Sequence, residues 1–149
     1  MAKKRLLTEY KHFIEQNEIY LYVNPKQNNI LQWEALIIGP PETIWDGATL
    51  KLILNFSEEY PNKPPEVQFL TEVYHPNVYS NGKICLDILT NTWTPIYDVH
   101  AVLLSIQSLL TDPNPNSPAN NEASKLFIED REKYNQKVIE CVTDSWKVK

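Results

Sequence analysis

Leu31-Gln32-Trp33-Glu34-Ala35-Leu36-Ile37 and Leu50-Lys51-Leu52-Ile53-Leu54-Asn55-Phe56 each carry an apolar residue at every second position. A period of two is the side-chain period of a strand, so Leu31, Trp33, Ala35 and Ile37 share one face, as do Leu50, Leu52, Leu54 and Phe56. Val67 and Phe69 continue the pattern, and Tyr20 to Val23 supply a further strand. Between the two long strands stand Gly39-Pro40-Pro41 and Asp46-Gly47. Glycine admits positive φ without steric cost, so these read as turns between consecutive strands, and the whole as an antiparallel meander.

Outward from the strands the period changes. Leu6, Leu7, Tyr10, Phe13 and Ile14 recur at helical spacing, which predicts an amphipathic helix from Lys3 to Glu15 with Lys3, Lys4, Lys11 and Glu15 on its other face. Downstream, Tyr60-Pro61-Asn62-Lys63-Pro64-Pro65 is a stiff elbow, since proline lacks a ladder donor. Thr71 to Tyr97 sustains neither period, and irregular stretches of that length in a compact domain are often functional. Asp98 is a good N-cap for a central helix with Val99, Val102, Leu103, Ile106, Leu109 and Leu110 as its apolar stripe. Thr111-Asp112-Pro113-Asn114-Pro115 stops it. Ser117-Pro118 or Asn120 then caps a short helix through Phe127, and Asp130 a last one with Tyr134, Val138, Cys141, Val142 and Trp146. Strands followed by helices predict an α+β fold: a four-stranded antiparallel meander, an N-terminal helix, a central helix and two C-terminal helices. Without an internal repeat or linker, residues 1–149 read as one domain.

Composition narrows the function. With 14 basic against 19 acidic residues the net charge is −5, the wrong sign for a general nucleic-acid binder. No apolar run approaches the ~20 residues of a membrane span. The basic start, Met1 to Arg5, leads into an amphipathic segment rather than an apolar one, so no signal peptide is expected and the cytoplasm or nucleus is the expected compartment. Two cysteines make no disulfide framework and lack metal-ligand spacing.

Few residues remain to carry chemistry. Cys141, seven positions after Tyr134, reads as a small buried core residue. Cys85, just past the Asn81-Gly82 turn, is either a buried structural thiol or a nucleophile. His12 and His100 fall on the first and central helices and are expected to be solvated. His75, in His75-Pro76-Asn77, either holds a turn or serves a thiol as base, but no hydrolase signature surrounds Cys85.

His75-Pro76-Asn77, followed eight positions after Asn77 by Cys85 within Gly82-Lys83-Ile84-Cys85-Leu86-Asp87-Ile88-Leu89, resembles the core of ubiquitin-conjugating enzymes. The resemblance runs along nearly the whole chain. It takes in the first helix, Trp33 before Ile37-Ile38-Gly39-Pro40, the Tyr60–Pro65 elbow, Trp93-Thr94-Pro95, and Leu109-Leu110 ahead of Pro113 and Pro115. Within the family the elbow, His75–Tyr79, Trp93–Val99 and Ser105–Leu110 are most similar to the branch serving DNA-damage tolerance, histone ubiquitylation and N-degron turnover. The resemblance implies a transferase with no bound cofactor. An activating enzyme, which consumes the ATP, hands over ubiquitin; Cys85 holds it as a thioester and yields it to a substrate lysine with a ligase, mostly of RING type. The presence of Cys85 weighs against the alternative of a non-catalytic ubiquitin-binding module on the same scaffold.

The resemblance also implies roles for individual residues. Asn77 matches the family's oxyanion donor for lysine attack on the thioester, or else pins the loop. His75 is a supporting residue. Many relatives carry aspartate where this chain has Ser117, which leaves Asp87 as the nearest carboxylate to help an acceptor lysine. Ser117-Pro118 is also a minimal proline-directed kinase pattern. Lys3, Lys4 and Arg5 match the surface that meets the activating enzyme and ligases, and Asn62, Pro95 and Ile96 the ligase-contact positions. Direct nucleic-acid or membrane contacts are not expected, and without an acidic run at Trp146–Lys149 any histone targeting is expected to come from elsewhere. Thr43-Ile44-Trp45-Asp46-Gly47-Ala48 departs from the family's Thr-Pro-aromatic-x-Gly-Gly.

Overall fold

The protein is described by a computed structural model covering residues 1–147. Helix α1 (Ala2–Glu15) precedes strands β1 (Leu21–Lys26), β2 (Asn29–Ile38), β3 (Thr49–Asn55) and β4 (Glu66–Phe69). Helices α2 (Val99–Thr111), α3 (Asn121–Glu129) and α4 (Arg131–Ser145) follow, with a short 3-10 turn at Asp87–Leu89 between. The strands lie in chain order and every pairing is antiparallel. This is the α+β meander that the alternating pattern predicts.

Register explains the pattern. Trp33 faces Leu54, Ala35 faces Leu52 and Ile37 faces Leu50, while Leu54 and Leu52 face Val67 and Phe69 across the next ladder. All are buried, and they meet Leu6 and Phe13 of α1 and Val102, Leu103 and Ile106 of α2 in one core. The other sheet face carries Gln32, Glu34 and Lys51 and stays open to water, as an antiparallel sheet allows. Pro25 sits in β1, an edge strand, just where the register slips; an edge tolerates the missing N–H.

The expected caps form. Asp98, Asn120 and Asp130 accept backbone N–H bonds from Ala101 (2.8 Å), Ala123 (3.0 Å) and Lys133 (3.2 Å), so α3 starts from Asn120 rather than from Ser117-Pro118. Cys141 corrects the sequence reading: it is half-buried rather than sealed in the core, and its thiol donates to the Glu72 carbonyl at 3.1 Å.

The segment from Gly39 to Thr49 is tied at three places. Gly39 is required by space, not by φ, because a Cβ there would stand 1.6 Å from the Trp45 carbonyl oxygen; Gly47 does take a positive φ of 77°. The buried Trp45 indole donates to the Leu110 carbonyl at 2.9 Å, answering an orphan acceptor in the last turn of α2. From the far end of the chain, Ser145 Oγ accepts the Thr49 N–H (3.0 Å) and the Trp146 indole donates to the Gly47 carbonyl (2.8 Å). Of the Trp146–Lys149 stretch, Val148 and Lys149 lie outside the described residues. The unusual Ile44 packs on the core and Ala48 is buried, so both departures are filled positions.

Replacing Trp45 by phenylalanine leaves the Leu110 carbonyl without its donor and opens a void. Urea denaturation is expected to show a loss of ~2–3 kcal/mol; an unchanged midpoint would contradict this capping role.

Candidate active site

The eight-residue spacing between Asn77 and Cys85 is the geometry of a small hairpin. Val78 bridges to Ile84, the Tyr79 N–H donates to the Lys83 carbonyl (2.9 Å), and the Cys85 N–H donates to the Asn77 carbonyl (2.8 Å). Cys85 therefore lies directly across from Asn77. The turn is set by Asn81, whose Oδ1 accepts the Lys83 N–H (3.0 Å), and by Gly82 at φ 90°. Gly82 also lets the hairpin dock on β4: its carbonyl accepts the Phe69 N–H at 2.9 Å, and a Cβ would meet the Phe69 oxygen at 2.1 Å. Cys85 is half-buried, placed neither in the core nor on an open surface.

His75 is fully buried and its ring is engaged at both nitrogens. Nε2 lies 2.6 Å from the Leu109 carbonyl and Nδ1 accepts the Asn77 N–H at 2.9 Å, which assigns the neutral tautomer with its proton on Nε2. Burial pushes its pKa down to about 4, partly offset by the bond to Leu109. No nitrogen is left to take a proton from a thiol, so His75 is the turn-holder of the two sequence readings.

Asn77 is buried and both N–H donors of its side-chain amide are used. Nδ2 donates to the carbonyls of Asn114 (2.8 Å) and Ser117 (3.0 Å), and Oδ1 accepts the Asn114 N–H (2.8 Å). The Ala119 and Asn120 N–H groups add bonds to the Pro76 carbonyl at 2.7 and 3.0 Å, and Ser124 Oγ donates to the Pro115 carbonyl at 3.1 Å. Residues 113–120 thus form a wall fastened to His75-Pro76-Asn77, with the Ser117 side chain exposed. Asp87 is exposed at the start of the 3-10 turn, two residues past the thiol. His100 is not simply solvated: Nε2 lies 2.6 Å from Glu18 Oε1.

The remaining site residues lie elsewhere on the chain. Lys3, Lys4, Asn62, Pro95 and Ile96 are exposed, Ile96 at 85%. Arg5 differs from its two neighbours because its guanidinium is engaged within the chain by Glu9 (2.6 Å) and by the carbonyls of Pro95 (2.8 Å) and Tyr97 (3.0 Å). Sequence reading missed Glu9 and Asn114. A glutamate four residues after an arginine on a helix is an ordinary surface pair, and nothing local marks Asn114 as the partner of Asn77.

Comparison with known proteins gives a consistent match. The family model described as "Ubiquitin-conjugating enzyme" matches residues 5–142. The chain is 57% identical over 145 residues to "Ubiquitin-conjugating enzyme E2 3" of Arabidopsis thaliana, covering 97% of each. It is 51% identical over 145 residues to "Ubiquitin-conjugating enzyme E2 2" of Kluyveromyces lactis and to the protein of that name in Saccharomyces cerevisiae. Those alignments cover 97% of this chain and 88% and 84% of the relatives.

The His75 pKa, near 4 when folded against an ordinary 6.5, carries a pH signature. The folded state favours the neutral ring, so this stabilisation is complete above pH 6.5 and is lost as pH falls from 6.5 toward 4. The loss is on the order of 3 kcal/mol. Unfolding free energies measured across that range should fall steeply for the wild type and less steeply for His75→Gln; parallel curves would refute the assignment.

Proposed function

The chain belongs to the ubiquitin-conjugating enzyme family, transferases that carry ubiquitin as a thioester and need no bound cofactor, and from this premise we propose that Cys85 is the sulfur that carries it. The observation behind this is the hairpin that sets a half-buried Cys85 across from Asn77, beside the wall of residues 113–120. Ubiquitin, an activating enzyme and ligases are partners of the family in general.

In the first step the Cys85 thiol gives up its proton to water and its thiolate attacks the carbonyl carbon of the ubiquitin thioester on the activating enzyme. The new C–S bond forms and the activating enzyme's thiolate leaves. The exchange trades one thioester for another, so it is nearly balanced and needs no resident base, in keeping with His75 being spent on structure. In the second step a substrate lysine nitrogen attacks, loses a proton and expels the Cys85 thiolate, leaving an isopeptide bond. Asp87, exposed two residues past the thiol, is read as the carboxylate that steers that lysine, as Ser117 offers none. Asn77 supports the step by fixing the wall. It stabilises the oxyanion as well when one of its two Nδ2–H bonds is exchanged from a loop carbonyl to the developing charge.

Lys3, Lys4 and the partly exposed Arg5 are read as contacts for the activating enzyme and ligases, and Asn62, Pro95 and Ile96 as the surface for a RING-type ligase; exposure supports this. Residues 1–149 are read as one conjugating domain acting in the cytoplasm and nucleus. The resemblance to the DNA-damage-tolerance, histone and N-degron branch supports a role in those processes. Among the described residues no helix is long and apolar enough to cross a membrane.

Incubation with activating enzyme, ubiquitin and ATP is expected to give a reductant-sensitive band on a non-reducing gel. Cys85→Ala should abolish it and Cys141→Ala retain it; the opposite pattern refutes the assignment. Asn77→Ala is expected to slow single-turnover discharge to lysine by on the order of 10²–10³, far more than it slows loading.

A further inference from the structure

Among the described residues Glu9 is the only buried carboxylate, 8% exposed. Its Oε2 accepts from Arg5 Nε (2.6 Å) and from the Tyr60 hydroxyl (2.6 Å), and its Oε1 accepts the Val99 N–H (2.8 Å). Three donors converging on an acceptor-only group join α1, the elbow after β3 and the first residue of α2. Arg5 extends the network. Held by Glu9 through Nε, it donates from its other end to the Pro95 and Tyr97 carbonyls, the two residues that flank Ile96.

We propose that Glu9 is a positioning residue for ligase docking: it aims the Arg5 guanidinium so that Pro95-Ile96-Tyr97 is presented in one shape. This rests on the reading of Pro95 and Ile96 as ligase contacts. A loop that is fixed before docking loses little conformational freedom on docking, so the Glu9–Arg5 strap acts on ligase affinity and not on the chemistry at Cys85. Glu9→Gln keeps the shape of the side chain but removes the charge and turns an N–H₂ group toward Tyr60 or Arg5. Tyr60→Phe removes one bond from the same buried carboxylate yet leaves the strap in place, which makes it the control for general loosening.

The experiment titrates an isolated RING domain, chosen because it accelerates lysine discharge from the wild-type ubiquitin thioester. It uses the full chain and its Glu9→Gln, Tyr60→Phe and Ile96→Ala variants, with thermal melts for each. For Glu9→Gln the half-saturating RING concentration is expected to rise about tenfold, with the rate at saturation and the RING-free rate unchanged and with Tyr60→Phe at the wild-type value. If Glu9→Gln does not fold, Glu9→Asp replaces it: the shorter side chain keeps the charge but cannot reach Arg5, Tyr60 and the Val99 N–H together, so the same rise is expected. A wild-type half-saturation in Glu9→Gln beside a raised one in Ile96→Ala overturns this inference and leaves the ligase surface standing. No rise in either overturns both. Equal rises in Glu9→Gln and Tyr60→Phe, or a matching fall in RING-free discharge, reduce the network to general stability and overturn it too.

Discussion

A single imidazole holds the Cys85 half of this molecule together. His75 donates from Nε2 to the Leu109 carbonyl and accepts the Asn77 N–H at Nδ1, so one neutral ring joins the end of the central helix to the start of the Asn77–Cys85 hairpin. Asn77 is thereby fixed in backbone and, through its amide, fastens residues 114 to 117; its carbonyl in turn holds the Cys85 N–H. A protonated ring would turn Nδ1 into a donor facing an N–H, and the chain of bonds would break at its first link. The structure thus places one demand on this residue: it must stay uncharged.

Helix α2 connects this half with the other. Its Val99 N–H ends on Glu9 and its Leu109 carbonyl on His75, and its 13 residues span roughly 20 Å. The His75 end and the Glu9 end are therefore two termini of one element, each satisfied by a buried side chain from a distant part of the sequence. Orphan helix groups that other proteins leave to water are used here to set the spacing between the thiol and the loop around Ile96.

What could be read in the sequence follows from how local each cause is. Strand alternation, the caps at Asp98 and Asp130 and the turn at Asn81-Gly82 depend on residues a few positions apart, and the fold contains them. Asn77 and Cys85 stood out through a known spacing, but the hairpin that explains the spacing shows only in the coordinates. The Asn77–Asn114 bond joins residues 37 apart and the Glu9–Val99 bond residues 90 apart, and no local pattern announces either. Arg5 shows the same limit from the other side. As part of a basic helix face it resembles Lys3 and Lys4, yet its planar fork finds three acceptors inside the protein that an ammonium group would not reach together.

The capping of α2 has a consequence for the order in which the chain acquires structure. Its Ala101 N–H is answered locally by Asp98, three residues away, whereas its Val99 N–H waits for Glu9, 90 residues away, and its last carbonyls are answered by Trp45 and His75, 65 and 34 residues away. Nucleation is thus possible at one end of the helix, while the other must await loop closure across the sheet. Both distant donors precede the helix, so they leave the ribosome first, and the last turn emerges where its partners already are.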